Sequence, residues 1–229
     1  MTPGIFRAGR LLTIFLCFGS GVISCRTGSP HLEPPPSEIL SVEGYGQADA
    51  QGERTALKGR FAFSFHVSGR GRVEALDAIG RTSFILLFAD DRAFFILPSR
   101  KAYAVDTPVG MMDRFLGLPL LPGEVLRLMS GRWSGHSEAD PSWILRRDEG
   151  GRVISGGKGE AAFIVREFFS GTGVPRIFDF SGSDVSGKIR LLDIRFNTGS
   201  VERAADTGFL KRFKPATWED MDAWLRSDR

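Results

Sequence analysis

Side chains able to do covalent or metal chemistry are few in this sequence, and they lie far apart. The histidines are His31, His66 and His136, and none has the HExxH spacing or another metal-ligand spacing. The two cysteines, Cys17 and Cys25, both lie near the N-terminus, so the rest of the chain offers no thiolate as a nucleophile or zinc ligand. The sequence therefore predicts neither thiol catalysis nor a zinc–thiolate site.

Short motifs that superficially suggest a nucleophile or a ligand loop lack the context they would need. Residues 134–137 (SGHS) do not form a GxSxG elbow. The glycine-rich stretches 69–71 and 156–159 do not match the GxxxxGK[ST] phosphate loop, and neither leads into a helix, so we interpret both as hairpin turns. Acidic residues at 90–91 and 138–140 are more typical of solvated turns than of a calcium site. We predict no enzyme activity, no metal and no cofactor.

Composition and charge are those of an ordinary soluble domain with a dry interior. The net charge is +3, and the basic side chains are scattered rather than gathered on one stripe, so we expect no nucleic-acid partner. The chain has 19 Phe but only 2 Tyr, which indicates a core with few buried hydroxyl groups.

The first 25 residues have the pattern of an export signal that ends in a cysteine. Two arginines precede the apolar run 11–18 (LLTIFLCF), which is too short to span a bilayer as a helix. The segment Val22-Ile23-Ser24-Cys25 resembles the lipobox of bacterial lipoproteins, which implies removal of residues 1–24 and a lipid on Cys25. The alternative is an ordinary secretory signal with a chance cysteine. The residue after Cys25 is Arg26, not the aspartate that marks retention in the inner membrane in enterobacterial lipoproteins. This favours anchoring at the periplasmic face of the outer membrane.

The remaining chain divides into a tether and one domain. Residues 25–38 comprise the lipidated cysteine and a polar segment in which three consecutive prolines favour extended polyproline II. Residues 39–229 form the domain, which has no disulfide and must be held by its core alone.

The domain alternates with a period of two over most of its length. The clearest example places Phe61, Phe63 and Phe65 on one strand face and His66 on the opposite, solvated face. Short turns separate about eleven strands, the last of which is predicted at 208–213, and no βαβ alternation occurs. The pattern is typical of an antiparallel sheet or an open barrel.

Helical spacing interrupts the strands between residues 109 and 130. Pro119 and Pro122 divide this stretch into a helix ending near Leu116 and a second helix over 123–130. An apolar stripe on the second helix must be buried against a sheet face, either as a permanent plug or as a lid over a cavity; its members are Leu121, Val125, Leu126 and Met129. Periodicity alone favours the packed core.

A further helix is predicted at the C-terminus. Thr217 and Asp220 have the spacing of a capping box. We expect the buried side of this helix to carry Trp218, Met221, Trp224 and Leu225.

The order of these features resembles the LolA/LolB lipoprotein-carrier superfamily, and specifically LolB-like outer-membrane lipoproteins. The resemblance rests on the lipobox, on Ala78-Ile79-Gly80 in a hairpin loop, and on residues 115–122 (FLGLPLLP) followed by 125–131 (VLRLMSG). It departs from the family at Met129, where LolB has tryptophan, and at Ala78, where the loop has proline. What it implies is a mainly β fold: a half-open antiparallel β-barrel with short helices as a lid over the concave face.

The resemblance also implies a function without covalent chemistry. The cavity would receive the acyl chains of lipoproteins from a periplasmic carrier, the lipid on Cys25 would hold the protein at the membrane, and Ile79 would contact the membrane. The cavity and lid candidates are Phe61, Phe63, Phe65, Phe84, Leu116, Leu118, Leu121, Val125, Leu126 and Met129. A monomer is expected. The alternative is a structural or partner-binding envelope lipoprotein whose barrel is filled and carries no lipid.

Overall fold

A single, mainly antiparallel sheet forms the framework of the domain. The structure is a computed structural model that describes residues 32–52, 56–133, 143–199, 201 and 205–227. The sheet has twelve strands in the order β12-β6-β5-β4-β3-β2-β1-β11-β10-β9-β8-β7, so β12 and β7 are its two edges and it does not close. The strands are β1 (Ser41–Gly52), β2 (Ala56–His66), β3 (Gly71–Leu76), β4 (Thr82–Ala89), β5 (Arg92–Leu97), β6 (Ala102–Asp106), β7 (Ile144–Arg147), β8 (Val153–Lys158), β9 (Ala161–Phe168), β10 (Pro175–Ser181), β11 (Val185–Phe196) and β12 (Lys214–Pro215).

The sheet is accompanied by the helices α1 (Pro108–Leu116), α2 (Pro122–Ser130) and α3 (Trp218–Ser227). The first two form the helical insertion, residues 108–130, where α1 contacts β5 and α2 contacts β1, β2 and β10. No helix in the described ranges is long and apolar enough to cross a membrane. The predicted fold class, an open antiparallel barrel with short helices over its concave face, is confirmed.

The break between α1 and α2 follows from local chemistry. Pro122 occupies the first turn of α2, where its missing N–H costs nothing, and each helix ends in a glycine with left-handed backbone. These are Gly117 (φ 59°) and Gly131 (φ 68°). A Cβ on Gly117 would come within 1.8 Å of a Val185 side-chain carbon, and one on Gly131 within 2.1 Å of the Gly173 carbonyl oxygen. The two helix ends are therefore fitted closely against the sheet.

Two predicted local structures are wrong. Residues 208–213 were expected to form a strand, but Gly208–Arg212 is a 3-10 turn, and its buried Leu210 packs on the outer face of the sheet. Gly156 and Gly157 belong to β8 rather than to a turn. A Cβ on Gly156 would meet the Phe163 ring at 2.6 Å, so this glycine makes room for an aromatic side chain. The 69–71 stretch forms the β2–β3 hairpin turn and the start of β3, as expected.

The sheet has apolar clusters on both faces. The concave cluster includes the inward side chains of most strands together with α1, α2 and α3. A smaller outer cluster consists of Ile85, Leu87, Phe94, Ile96, Ala205 and Leu210. Because β4 and β5 are buried on both faces, their sequences are continuous apolar runs rather than alternating ones.

The C-terminal chain reaches the concave cluster after crossing the β6 edge. Lys214 and Pro215 pair in parallel with β6, and α3 follows at once. Its predicted capping box is confirmed, because the Asp220 backbone N–H donates to Thr217 Oγ1 (3.2 Å) and the Thr217 backbone N–H donates to Asp220 Oδ2 (3.3 Å). The Trp218 ring stacks on Phe95 at 5.7 Å, and Met221 is fully buried.

The described part of the N-terminal segment also lies on the domain. Leu32 and Ile39 pack against the concave cluster. Arg132 Nη2 donates to the Pro36 carbonyl (3.2 Å), and Asn197 Nδ2 donates to the Glu38 carbonyl (2.8 Å). Residues 32–38, which the sequence assigns to the tether, are thus attached to the domain.

The fit of Gly131 gives a stability prediction. Gly131→Ala should destabilise the fold by roughly 1–3 kcal/mol, because alanine resists left-handed backbone and its Cβ would meet a carbonyl oxygen. The midpoint of urea unfolding measures this. Gly123→Ala is the matched control, since space around Gly123 is open and alanine favours a helix. Equal midpoints for the two variants would show that α2 is not fitted as described.

Candidate functional site

The concave face is lined by phenylalanines of β2. Phe61, Phe63 and Phe65 all point inward and are buried. The Phe61 and Phe63 rings lie 5.8 Å apart, and Phe65 packs against Phe88 at 6.0 Å between centroids. The alternation that predicted this face thus places three large apolar rings on the side of the sheet that α2 contacts.

The α2 side chains occupy the concavity rather than a surface above it. Seven of the nine α2 residues are buried, so this helix is enclosed on most of its circumference. Val125, Leu126 and Met129 belong to the same apolar cluster as the β2 phenylalanines. In this conformation α2 therefore fills the space that a lid would cover.

The other predicted cavity residues divide into two groups. Leu118 is buried in the concave cluster, and Leu116 and Phe84 are half-buried against it, with Phe84 stacked 5.5 Å from Phe115. Leu121 does not join them, because it precedes the first helical residue of α2 and its side chain is 46% exposed. The predicted helical stripe starts one turn too early, since Leu121 has extended backbone (φ −77°, ψ 151°).

A buried carboxylate joins α2 to the far edge of the sheet. Glu124 is 3% exposed, and its Oε1 accepts hydrogen bonds from Trp143 Nε1 (2.6 Å) and Lys158 Nζ (3.1 Å). Its Oε2 accepts from the Leu121 backbone N–H (2.7 Å), which satisfies a free donor at the helix start. We call Glu124, Trp143 and Lys158 the Glu124 latch.

Sequence reasoning missed this latch. Glu124 stands at the third helical position of α2, where an acidic residue usually caps the helix at the surface. Nothing in the sequence spacing pairs it with Trp143 or Lys158, which are 19 and 34 residues away.

Aromatic rings surround the latch. Trp133 stacks on Phe163 at 5.8 Å, and Trp143 lies 5.4 Å from Trp133 and 5.7 Å from Phe163. Arg147 Nη2 donates to the Trp133 carbonyl at 2.5 Å. Trp133, three residues after α2, is therefore packed onto β7 and β9.

The outer face carries a recess of a different character. Its volume is about 210 Å³, and residues 43–45 of β1 and 62–64 of β2 contribute to its lining. Charged side chains of both signs surround it, namely Glu43, Arg72, Glu74 and Arg195. Such a lining does not suit an acyl chain, so the apolar candidate site is the concavity.

The hairpin between β3 and β4 presents Ile79 to solvent, with 74% of its surface exposed. Asp77 Oδ1 accepts from the backbone N–H groups of Ile79 (3.0 Å) and Arg81 (2.8 Å), and Arg81 Nε donates to Asp77 Oδ2 (2.8 Å). Gly80 supplies the left-handed backbone (φ 85°) that the turn requires. Ile79 therefore does not fold back onto the core.

A second hairpin shows that this turn does not need an apolar tip. Asp148 Oδ1 accepts from the Arg152 backbone N–H (2.9 Å), Arg152 Nε donates to Asp148 Oδ2 (2.7 Å), and Gly151 has left-handed backbone. The residue that corresponds to Ile79 is Gly150. The turn chemistry explains Asp, Gly and Arg in both hairpins but leaves the isoleucine unexplained.

The remaining predicted residues have simpler positions. His66 is half-buried on the outer face, and its Nδ1 lies 2.8 Å from Ser68 Oγ. Cys25, His31, His136 and the 134–140 motifs lie outside the described residues. Within the described ranges, no three His, Cys, Asp or Glu side chains are grouped to hold a metal ion.

The Glu124 latch gives the second prediction. Glu124→Ala should cost about 3 kcal/mol of unfolding free energy, because it removes the buried acceptor of the Trp143 N–H and one ion-pair partner of the partly buried Lys158 ammonium. Glu124→Gln should cost less, since an amide oxygen can still accept from Trp143. Urea unfolding measures both, and Asp49→Asn is the control, because the Lys58–Asp49 pair is exposed. A Glu124→Ala protein as stable as the control would contradict the latch.

The Ile79 hairpin gives a pH prediction. The hydrogen bond from the Arg81 side chain, with those from the Arg81 and Ile79 N–H groups, lowers the pKa of Asp77 below its ordinary 3.8. These bonds therefore support the turn above pH 3.8 and are lost as the pH falls through the lowered pKa. NMR should show constant Ile79 and Arg81 amide shifts from about pH 8 to 5, with the change only in more acid solution. Arg81→Ala should raise the Asp77 midpoint, and an unmoved midpoint would contradict this turn.

Comparison with known proteins supports the fold but does not show a family. No protein-family model matches the chain, and no curated protein matches it. Among solved structures, it is similar to a LolA superfamily protein from Nitrosomonas europaea (TM-score 0.50, 11% identity, 77% of this chain and 93% of that one). It is also similar to a putative outer membrane lipoprotein-sorting protein domain from Vibrio parahaemolyticus (0.52, 10%, 76% and 93%). A DUF1329 family protein from Desulfovibrio piger is comparable (0.52, 8%, 76% and 92%). The chain thus has the LolA-like open-barrel fold.

Proposed function

We propose that this protein is an envelope lipoprotein that binds the acyl chains of other lipoproteins in its concavity and acts in their localisation at the outer membrane. The observation that carries the proposal is the position of Val125, Leu126 and Met129, which fill the phenylalanine-lined concavity of an unclosed sheet. The structural similarity to a putative outer membrane lipoprotein-sorting domain supports the same proposal. Cys25 is the proposed lipid attachment of the protein itself.

Acyl binding requires α2 to leave the concavity, and the energies make this exchange feasible. Burying a side chain such as Leu126 contributes about 1.5–3 kcal/mol, so removing the three α2 side chains costs roughly 5–9 kcal/mol. A chain of about sixteen carbons contributes about 0.8 kcal/mol per buried methylene, or ~12 kcal/mol when fully enclosed. Measured against water, the gain from the acyl chain therefore offsets the loss of these three side chains and of about 3 kcal/mol for the Glu124 latch.

The partners follow from this chemistry. A periplasmic carrier would deliver the acyl chains, and the protein would accept them as a monomer by apolar complementarity without making or breaking a bond. The resemblance implies that Ile79 contacts the membrane. This contact requires the Ile79 end of the domain to face the membrane.

A second function is favoured by the enclosure of α2. A helix with seven of nine residues buried and a buried ion pair resembles a permanent part of a core. On this alternative the barrel stays filled, and the protein is a structural or partner-binding lipoprotein of the envelope. The two functions differ in whether α2 can be displaced by an acyl chain.

Binding of a fluorescent fatty acid to the protein without residues 1–25 tests the proposal. We expect saturable binding at a one-to-one ratio, confirmed by native mass spectrometry. Leu126→Asp should raise affinity at least about tenfold, because a carboxylate buried in the apolar concavity favours the conformation that α2 has left. Leu192→Asp is the matched control, because this leucine of β11 is already exposed and lies outside α2, so affinity should be unchanged.

Two outcomes would support the filled barrel instead. One is the absence of any fatty-acid binding by the native protein. The other is loss of the cooperative unfolding transition in Leu126→Asp together with unchanged binding in Met129→Ala, which would identify α2 as core rather than as the occupant of a site.

A further inference from the structure

We propose that the domain is seated on its anchoring membrane by the end at which β1 begins, through Leu40 and Val67, so that the Ile79 hairpin points away from that membrane. This inference rests on the proposed lipid attachment at Cys25. It concerns the orientation of the domain and not the occupant of the concavity.

The first step is the fixed position of the N-terminal segment. Leu32 packs on the concave cluster, and the Pro36 carbonyl is bound by Arg132, which follows α2. The Asn197 side chain, just after β11, accepts from the Leu40 N–H (2.8 Å) and donates to the Glu38 carbonyl (2.8 Å). The chain therefore enters the sheet at one defined end.

The second step is the short reach of the lipid. Cys25 precedes Leu32 by seven residues. Fully extended, these residues span at most about 25 Å, and a flexible chain of this length has a mean span of about 15 Å. The lipidated residue must therefore lie within about 25 Å of Leu32.

The third step is the separation of the two ends. The Val67 N–H donates to the Leu40 carbonyl (2.8 Å), so these residues are neighbours where β1 begins and β2 ends. Arg60 of β2 pairs with Leu76, the last residue of β3, and the Ile79 turn lies beyond it. At about 3.3 Å per residue, Ile79 is roughly 30 Å from Val67 along the strands. The mean span of about 15 Å is half this separation, so we expect the membrane that holds Cys25 to meet the end where β1 begins rather than Ile79.

The fourth step is the character of the end near the anchor. Leu40 and Val67 are adjacent and exposed, by 45% and 56%. The exposed Arg132, which binds the Pro36 carbonyl, lies at the same end, where its charge suits lipid phosphates, whereas the nearby Arg70 is paired with Asp90 (3.0 Å). An apolar pair beside a basic side chain fits the interface of the membrane that already holds Cys25.

Lipid-borne quenching on the full-length, lipidated protein tests this orientation. Cys25 is the last cysteine in the sequence, so Val67→Cys and Ile79→Cys each give one labelling site. The labelled proteins are placed in phosphatidylethanolamine–phosphatidylglycerol vesicles that contain a nitroxide lipid, after mass spectrometry has confirmed the lipid on Cys25. We expect at least threefold stronger quenching at position 67 than at position 79.

A linker variant provides the control. Inserting twenty Gly/Ser residues between Gly28 and Ser29 should release the domain and reduce quenching at position 67. Equal or stronger quenching at 79, no quenching at either position, or an unlipidated Cys25 would each overturn the proposal. Fatty-acid binding without residues 1–25 is independent of orientation, so a lipidated protein that is quenched at 79 but still binds fatty acid loses this inference alone.

Discussion

The interaction on which the rest of the structure depends is the packing of α2 in the concavity of an unclosed sheet. An open sheet with an inward face of Phe61, Phe63 and Phe65 would expose a large apolar surface if nothing covered it. Gly117 at the end of α1, Gly131 at the end of α2 and the buried Glu124 all hold α2 in the concavity. The same arrangement makes α2 a competitor of an acyl chain, because either one can cover the apolar concave face of the sheet.

Strand periodicity predicted the framework because an antiparallel sheet with one buried face leaves a period of two in the sequence. The phenylalanines of β2, the proline break in the helical insertion and the capping box at Thr217 are all local signals, and all were placed correctly. The 3-10 turn at Gly208–Arg212 was missed because it packs on the β4 and β5 residues of the outer cluster, which lie more than a hundred residues earlier in the sequence.

The candidate site was only partly predictable, for a related reason. Apolar spacing brings Val125, Leu126 and Met129 together, but the depth of a helix in a concavity is decided by tertiary packing. Glu124 shows the limit most clearly, since a surface cap and a buried partner of Lys158 have the same local sequence. The Ile79 and Gly150 hairpins show the reverse: local turn chemistry is fully explained, and the isoleucine stands out because that chemistry does not need it.

The central claim is that α2 occupies an acyl site and can be displaced from it. Hydrogen exchange of the protein with and without a saturating long-chain fatty acid tests this most directly. The account predicts that α2 amides exchange faster when the fatty acid is bound, while those of β1, β2 and β11 keep their protection. Unchanged or increased protection of α2 in the presence of the fatty acid would contradict it and identify α2 as a permanent part of the core.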